Sequence, residues 1–125
     1  MRHRYVDQTP SAAALMLPAV LHIRGHPDLR RSLQAKIDTA ADMVAIPRSF
    51  TSASTLVKWG ERRIRQTGRI EPTYLVEVEL DNVLYSVEAT VHDGSYILIG
   101  RDILNQLTLI ADGPKETFEL IHPKP

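Results

Sequence analysis

The chain has no cysteine. Disulfides, thiolate metal sites and a thiol nucleophile are therefore excluded, and the composition suits a reducing compartment, with a cytoplasmic location expected. It also lacks charge of one sign: Lys+Arg and Asp+Glu both number 15, so the formal net charge is zero. No global field draws such a chain to nucleic acid or an anionic membrane, and neither partner is expected. Long apolar runs are missing too. "SAAALMLPAVL" is too short to span a bilayer and is interrupted by Pro18. There is no serine–histidine signature, no glycine-rich phosphate loop, no internal repeat and no linker. His22 and His26 are four apart, but Pro27 and the surrounding alternation argue against a helix that could pair them on a metal. No metal and no cofactor is expected.

What remains is one domain of 125 residues with 43% hydrophobic and 24% charged residues, ordinary globular values. Residues 1–14 read as a flexible tail and 15–125 as the domain. "AVLHIRG" (Ala19 to Gly25) alternates as a half-buried strand does, His26 to Arg30 reads as a turn, and Arg31 to Asp38 alternates again with Leu33, Ala35 and Ile37 on one face. "ADMVAI" is a short strand stopped by Pro47. "RSFTSASTLVKW" suits a strand or a helical turn. Arg62 to Pro72 forms a hairpin turning near Thr67-Gly68, with a basic character from Arg62, Arg63, Arg65 and Arg69. Strands Tyr74 to Leu80 and Leu84 to Val91 flank a tight turn at Asp81-Asn82. "YILIG" is a buried strand, Arg101 to Leu107 has helical spacing, and two strands close the chain around Asp112-Gly113-Pro114. The sum is an all-β domain, mainly antiparallel, with one short helix near the C-terminus. Trp59 and Tyr74 either line a pocket or pack on the core and hairpin.

One feature resists a purely structural reading. Asp38 sits between Ile37 and Thr39 at the end of an apolar strand, where an isolated carboxylate is costly unless paired, protonated or hydrogen-bonded. Two segments matter together: Asp38-Thr39-Ala40-Ala41-Asp42 after an apolar strand, and Gly100-Arg101-Asp102-Ile103-Leu104 after "YILI". In this combination the chain resembles the retropepsin-like aspartic proteases, the group of the retroviral proteases and small bacterial relatives, over about residues 19–121.

The resemblance implies a closed β fold of one lobe. It implies Asp38, Thr39 and Ala40 as the catalytic loop, and Asp42, Gly68 and Ile70 as substrate contacts. It also implies an Asp42–Arg101 ion pair tying loop to helix, and Arg62 to Pro72 as a flap over an extended peptide or protein substrate. Amide hydrolysis of this kind uses two carboxylates that share a proton, one as general base and one as general acid. The chain offers one such loop: Asp7, Asp28, Asp81, Asp93, Asp102 and Asp112 all lie in other contexts. The second Asp38 is therefore expected from a second copy in a two-fold homodimer. Thr39 would bond across that axis, and Asp102 would cap the helix at Ile103. The family carries glycine where this chain has Ala40. Two readings follow: a working endopeptidase, or a weak or inactive module that keeps the fold and binds peptide or a partner chain. A monomer completed by a different chain is a third.

Overall fold

The computed structural model describes residues 1–52, 58–65 and 67–124. Alternation does most of the shaping. In β4 (Met16–Ile23), Leu17, Ala19, Leu21 and Ile23 point inward. In β8 (Ile70–Leu80), Val76, Val78 and Leu80 have no exposed surface. Burying each such valine, leucine or isoleucine contributes about 1.5–3 kcal/mol. Six strands close into a barrel in the order β4, β5 (His26–Ile37), β10 (Ile97–Ile99), β6 (Ala45–Pro47), β9 (Val83–His92), β8, with β8 returning to β4. Strand β8 pairs with β7 (Gly60–Arg63) through residues 70–73 and with β4 through residues 76–79. Two of the pairings, β5 with β10 and β6 with β9, are parallel. The core gathers Leu17, Leu21, Val44, Ile46, Ile97, Ile99 and Ile103, and Phe118 and Leu120 belong to the same cluster.

The turn expected at His26 to Arg30 lies instead at Arg24–Gly25, and β5 starts at His26 as one continuous strand. The β8–β9 turn is at Asp81 (φ 50) and Asn82 (φ 65), the paired positive angles of a tight hairpin. The helix expected over Arg101 to Leu107 is shorter, α2 (Arg101–Leu104), and a second short helix, α1 (Arg48–Ser52), follows β6. The ambiguous stretch after it, residues 53–57, lies outside the described residues.

Residues 1–14, read from sequence as a flexible tail, carry three short strands. β1 (Arg2–Arg4) pairs with β12 (Thr117–Ile121), which pairs with β11 (Thr108–Asp112). β2 (Val6–Gln8) pairs with β3 (Ser11–Ala14). For β1 the cause is non-local, since β12 lends its edge to a segment too short and polar to show a strand pattern alone; β2 and β3 support each other as a local hairpin. Trp59 is 65% exposed just before β7, not packed in the core. With Tyr74, Ile23 and His26 it lines a shallow cavity of about 200 Å³. Among the described residues no helix is long and apolar enough to cross a membrane.

Candidate active site

The parallel pair β5/β10 sets the site. Ile37 lies opposite Ile99, so the two strands end at the same level and their next residues, Asp38 and Gly100, emerge side by side. Asp38 N–H donates to the Ile99 carbonyl at 3.0 Å. The carboxylate that looked misplaced after Ile37 is thus where the strand leaves the apolar core, and Asp38 is half-buried.

The loop that follows is strapped to the β10–α2 junction. Arg101 N–H donates to the Ala41 carbonyl at 2.8 Å, and Ala41 N–H to the Asp38 carbonyl at 3.2 Å. Val44 N–H donates to Asp102 Oδ2 at 3.0 Å, and Arg101 Nη1 to the Thr39 carbonyl at 2.9 Å. Gly100 permits the approach: a Cβ there would sit 2.6 Å from the carbonyl carbon and oxygen of Met43. Within the loop, Ala40 N–H donates to Asp38 Oδ1 at 3.0 Å and fixes the carboxylate's direction. Among the described residues the non-glycine positions with positive φ are Asp81, Asn82 and Glu116, and Ala40 is not one of them. Its methyl group therefore imposes no backbone strain of the kind glycine relieves. Thr39 and Ala40 are exposed at the loop tip. The Thr39 hydroxyl has no hydrogen-bond partner within the chain among the described residues.

Two expected roles are corrected. Arg101 does not pair with Asp42 in the single chain; its guanidinium donates to the Thr39 carbonyl at 2.9 Å. Asp102 is not an N-cap. It stands inside the first turn of α2, where Gly100 is the cap, and its two oxygens accept from Val44 N–H and Ile103 N–H. Burial pushes the Asp102 carboxyl above its ordinary value, those two N–H groups pull it back, and the charge on Asp42 adds to the rise. Sequence reasoning missed Met43 and Asp102 as loop anchors; the only signal was the glycine that Met43 abuts.

The hairpin β7–β8 closes through Ile64 N–H to the Arg69 carbonyl at 2.8 Å and Gly68 N–H to the Ile64 carbonyl at 2.7 Å, with Gly68 at φ +71. Gln66 lies outside the described residues. A cleft of about 260 Å³ separates the hairpin from the loop, lined by Ala40, Asp42 and Met43 on one side and residues 62–65 on the other. Of the expected substrate contacts, Asp42 faces this cleft. Gly68 and Ile70 do not line it, and Ile70 is 57% exposed at the start of β8. A larger cavity, about 610 Å³, lies elsewhere beside His3, Leu33 and Asp81 and contains no residue of the Asp38 loop.

No protein-family model matches the chain, and no curated protein matches it. Solved structures do. A retropepsin-like aspartic protease from Rickettsia conorii superposes at a TM-score of 0.65 with 12% identity, covering 98% of this chain and 91% of that one. EIAV protease in complex with an inhibitor superposes at 0.56 with 17% identity, covering 80% and 92%. The native protease–reverse transcriptase of prototype foamy virus superposes at 0.56 with 19% identity over 88% of this chain. The chain spans only 11% to 14% of the foamy virus protease–reverse transcriptase chains it matches. Likeness at these identities is one of fold, and the fold is the all-β, retropepsin-like barrel that the Asp38 and Gly100 segments led one to expect.

Proposed function

We propose that the chain is one subunit of a homodimeric aspartic endopeptidase, a cytoplasmic enzyme in which two copies each contribute Asp38 to a shared site. The observation that carries this reading is the state of the Asp38 loop. Its carboxylate is oriented by Ala40 N–H, its backbone is fixed to the β10–α2 junction, and its tip is left exposed with an unbonded Thr39 hydroxyl. A loop so fixed and so exposed supports a role as one half of a shared site. A two-fold axis through the tips would set the two carboxylates face to face and give each Thr39 a partner.

Two carboxylates so placed hold one proton between them, because like charges at that range do not both ionise. The ionised one takes a proton from water as the water oxygen attacks the peptide carbonyl carbon. The protonated one gives its proton to the carbonyl oxygen, forming a tetrahedral diol. On collapse the C–N bond breaks, the carboxyl that was protonated by water gives its proton to the departing nitrogen, and the ionised carboxylate takes a proton from a diol hydroxyl, so the pair returns to its singly protonated state. The substrate would lie extended over the loops, under the β7–β8 hairpin acting as a flap that excludes water. Ala40 keeps the N–H this chemistry needs, so the replacement of glycine is compatible with activity.

The test is Asp38→Asn. Cleavage of an unstructured protein at mildly acidic pH is expected to fall about a thousandfold, while sedimentation shows a dimer before and after the change. A parent chain that cleaves nothing across the acidic range, or that sediments only as a monomer, would falsify the proposal. In the first case the peptide-binding module takes its place.

A further inference from the structure

The cleft between the Asp38 loop and the hairpin is basic in a chain of zero net charge. Four arginines, Arg62, Arg63, Arg65 and Arg101, line it against one carboxylate, Asp42. Two of them are positioned without being neutralised: Arg63 donates to the Gly68 carbonyl at 2.8 Å and Arg101 to the Thr39 carbonyl at 2.9 Å. Arg62 lies 3.4 Å from Glu88 Oε1, a carboxylate that also accepts from the Thr73 hydroxyl at 2.7 Å. Arg65 has no hydrogen-bond or ion-pair partner among the described residues. Cations converging on a concave surface focus their field into it, and a guanidinium fork matches a carboxylate with two parallel hydrogen bonds.

We propose that this cleft selects polypeptides with an acidic side chain, Asp or Glu, next to the bond presented to Asp38, with Arg65 as the main specificity-determining residue. The inference rests on the endopeptidase reading for its location but not for its chemistry. A peptide fits better than a nucleic acid, because the cleft lining contains no aromatic ring on which a base could stack.

Two fluorescent, extended peptides identical except for Glu against Gln serve as probes. Their binding is measured on the Asp38→Asn protein and their cleavage on the parent. The Glu peptide is expected to bind about tenfold more tightly, with the advantage shrinking as salt rises. Arg65→Gln should bring the ratio toward one, and Arg65→Glu should turn it in favour of a matched Lys peptide. Arg65 is exposed on the hairpin, so both variants should fold, which circular dichroism checks. Equal binding of the pair, or a ratio that Arg65→Gln leaves intact, overturns the inference. If the parent still cleaves both peptides, the endopeptidase reading survives that result. Selective binding of the Glu peptide without any cleavage by the parent does the reverse, upholding the acidic cleft and removing the enzyme. Failure to bind or cleave either peptide removes both. A single-stranded oligonucleotide that binds while Glu and Gln are not distinguished overturns it in favour of a nucleic acid.

Discussion

Position 100 is where two segments meet only because a side chain is missing. A methyl group there would lie 2.6 Å from the Met43 carbonyl, and backbone cannot rotate out of the way as a side chain can. Gly100→Ala should therefore lift the loop from the α2 junction and cost about 1–3 kcal/mol, read as a lower urea midpoint; an unchanged midpoint would mean the contact is not tight. Asp102 makes a pH prediction. Its carboxyl is held above the ordinary value of 3.8 chiefly by burial. Between 3.8 and that raised value the folded chain binds more protons than the unfolded one, so stability declines as pH climbs through this window and is greatest below it. Asp102→Asn removes the titration. The difference in unfolding free energy between parent and variant should then change with pH in that window, the parent losing ground as pH rises, and a constant difference would contradict the assignment. Both residues stood in the Gly100-Arg101-Asp102 segment singled out from sequence. Their roles were not legible there, since they depend on Met43 and Val44, nearly sixty residues earlier, arriving just ahead of the neighbouring strand β6.

Among the elements, α1 is fastened by its first residue. Arg48 Nη1 and Nη2 bind Glu71 Oε2 and Oε1 at 3.0 and 3.2 Å, and Arg48 Nε binds Asp93 Oδ1 at 2.9 Å. The guanidinium is held more firmly protonated by Glu71 first and Asp93 second, and the Arg48 side chain lowers the exposed Asp93 carboxyl below its usual range. The clamp joins the helix to β8 and to the segment after β9. Arg48→Ala leaves the nearly buried Glu71 without its cation. The expected cost is about 1–2 kcal/mol, less than for a fully buried pair because the Arg48 side chain is 41% exposed. Thermal unfolding of the variant measures it, and recovery in an Arg48→Ala, Glu71→Gln double variant separates the orphaned charge from lost packing. Elements with a sustained period-2 pattern, β4, β8 and β9, were legible in the sequence, as was the Asp81-Asn82 turn. Strands β6 and β10 were legible as short apolar runs, whereas β5 and the N-terminal strands were not. β1 and β2 have three residues each, and β5 looked broken because Pro27 and Asp28 resemble a turn although the bend falls at Arg24–Gly25.

For the whole molecule, the barrel closes within one chain while the catalytic apparatus proposed for it does not. Both ends of the chain are tied to the same turn. Asp81 Oδ1 accepts from His3 Nε2 and Oδ2 from His122 Nε2, both at 2.8 Å, with the Tyr85 hydroxyl on the far nitrogen of His122. These partners are 78 and 41 residues from Asp81, so no local spacing announced them, and the aspartate read simply as a turn residue. A separation of 62 residues likewise hid the join of Arg101 to the Thr39 carbonyl. The Asp38 loop was legible because its residues are contiguous and its environment, the end of an apolar strand, is local. Whether two such loops make one site is best decided by subunit mixing. Parent and Asp38→Asn chains are combined in varying proportion, allowed to exchange, and assayed for cleavage. If each site needs an Asp38 from both copies, activity falls as the square of the parent fraction, to about one quarter in an equal mixture. A linear fall, to about one half, would mean that each chain carries a complete site and would contradict the shared-carboxylate account.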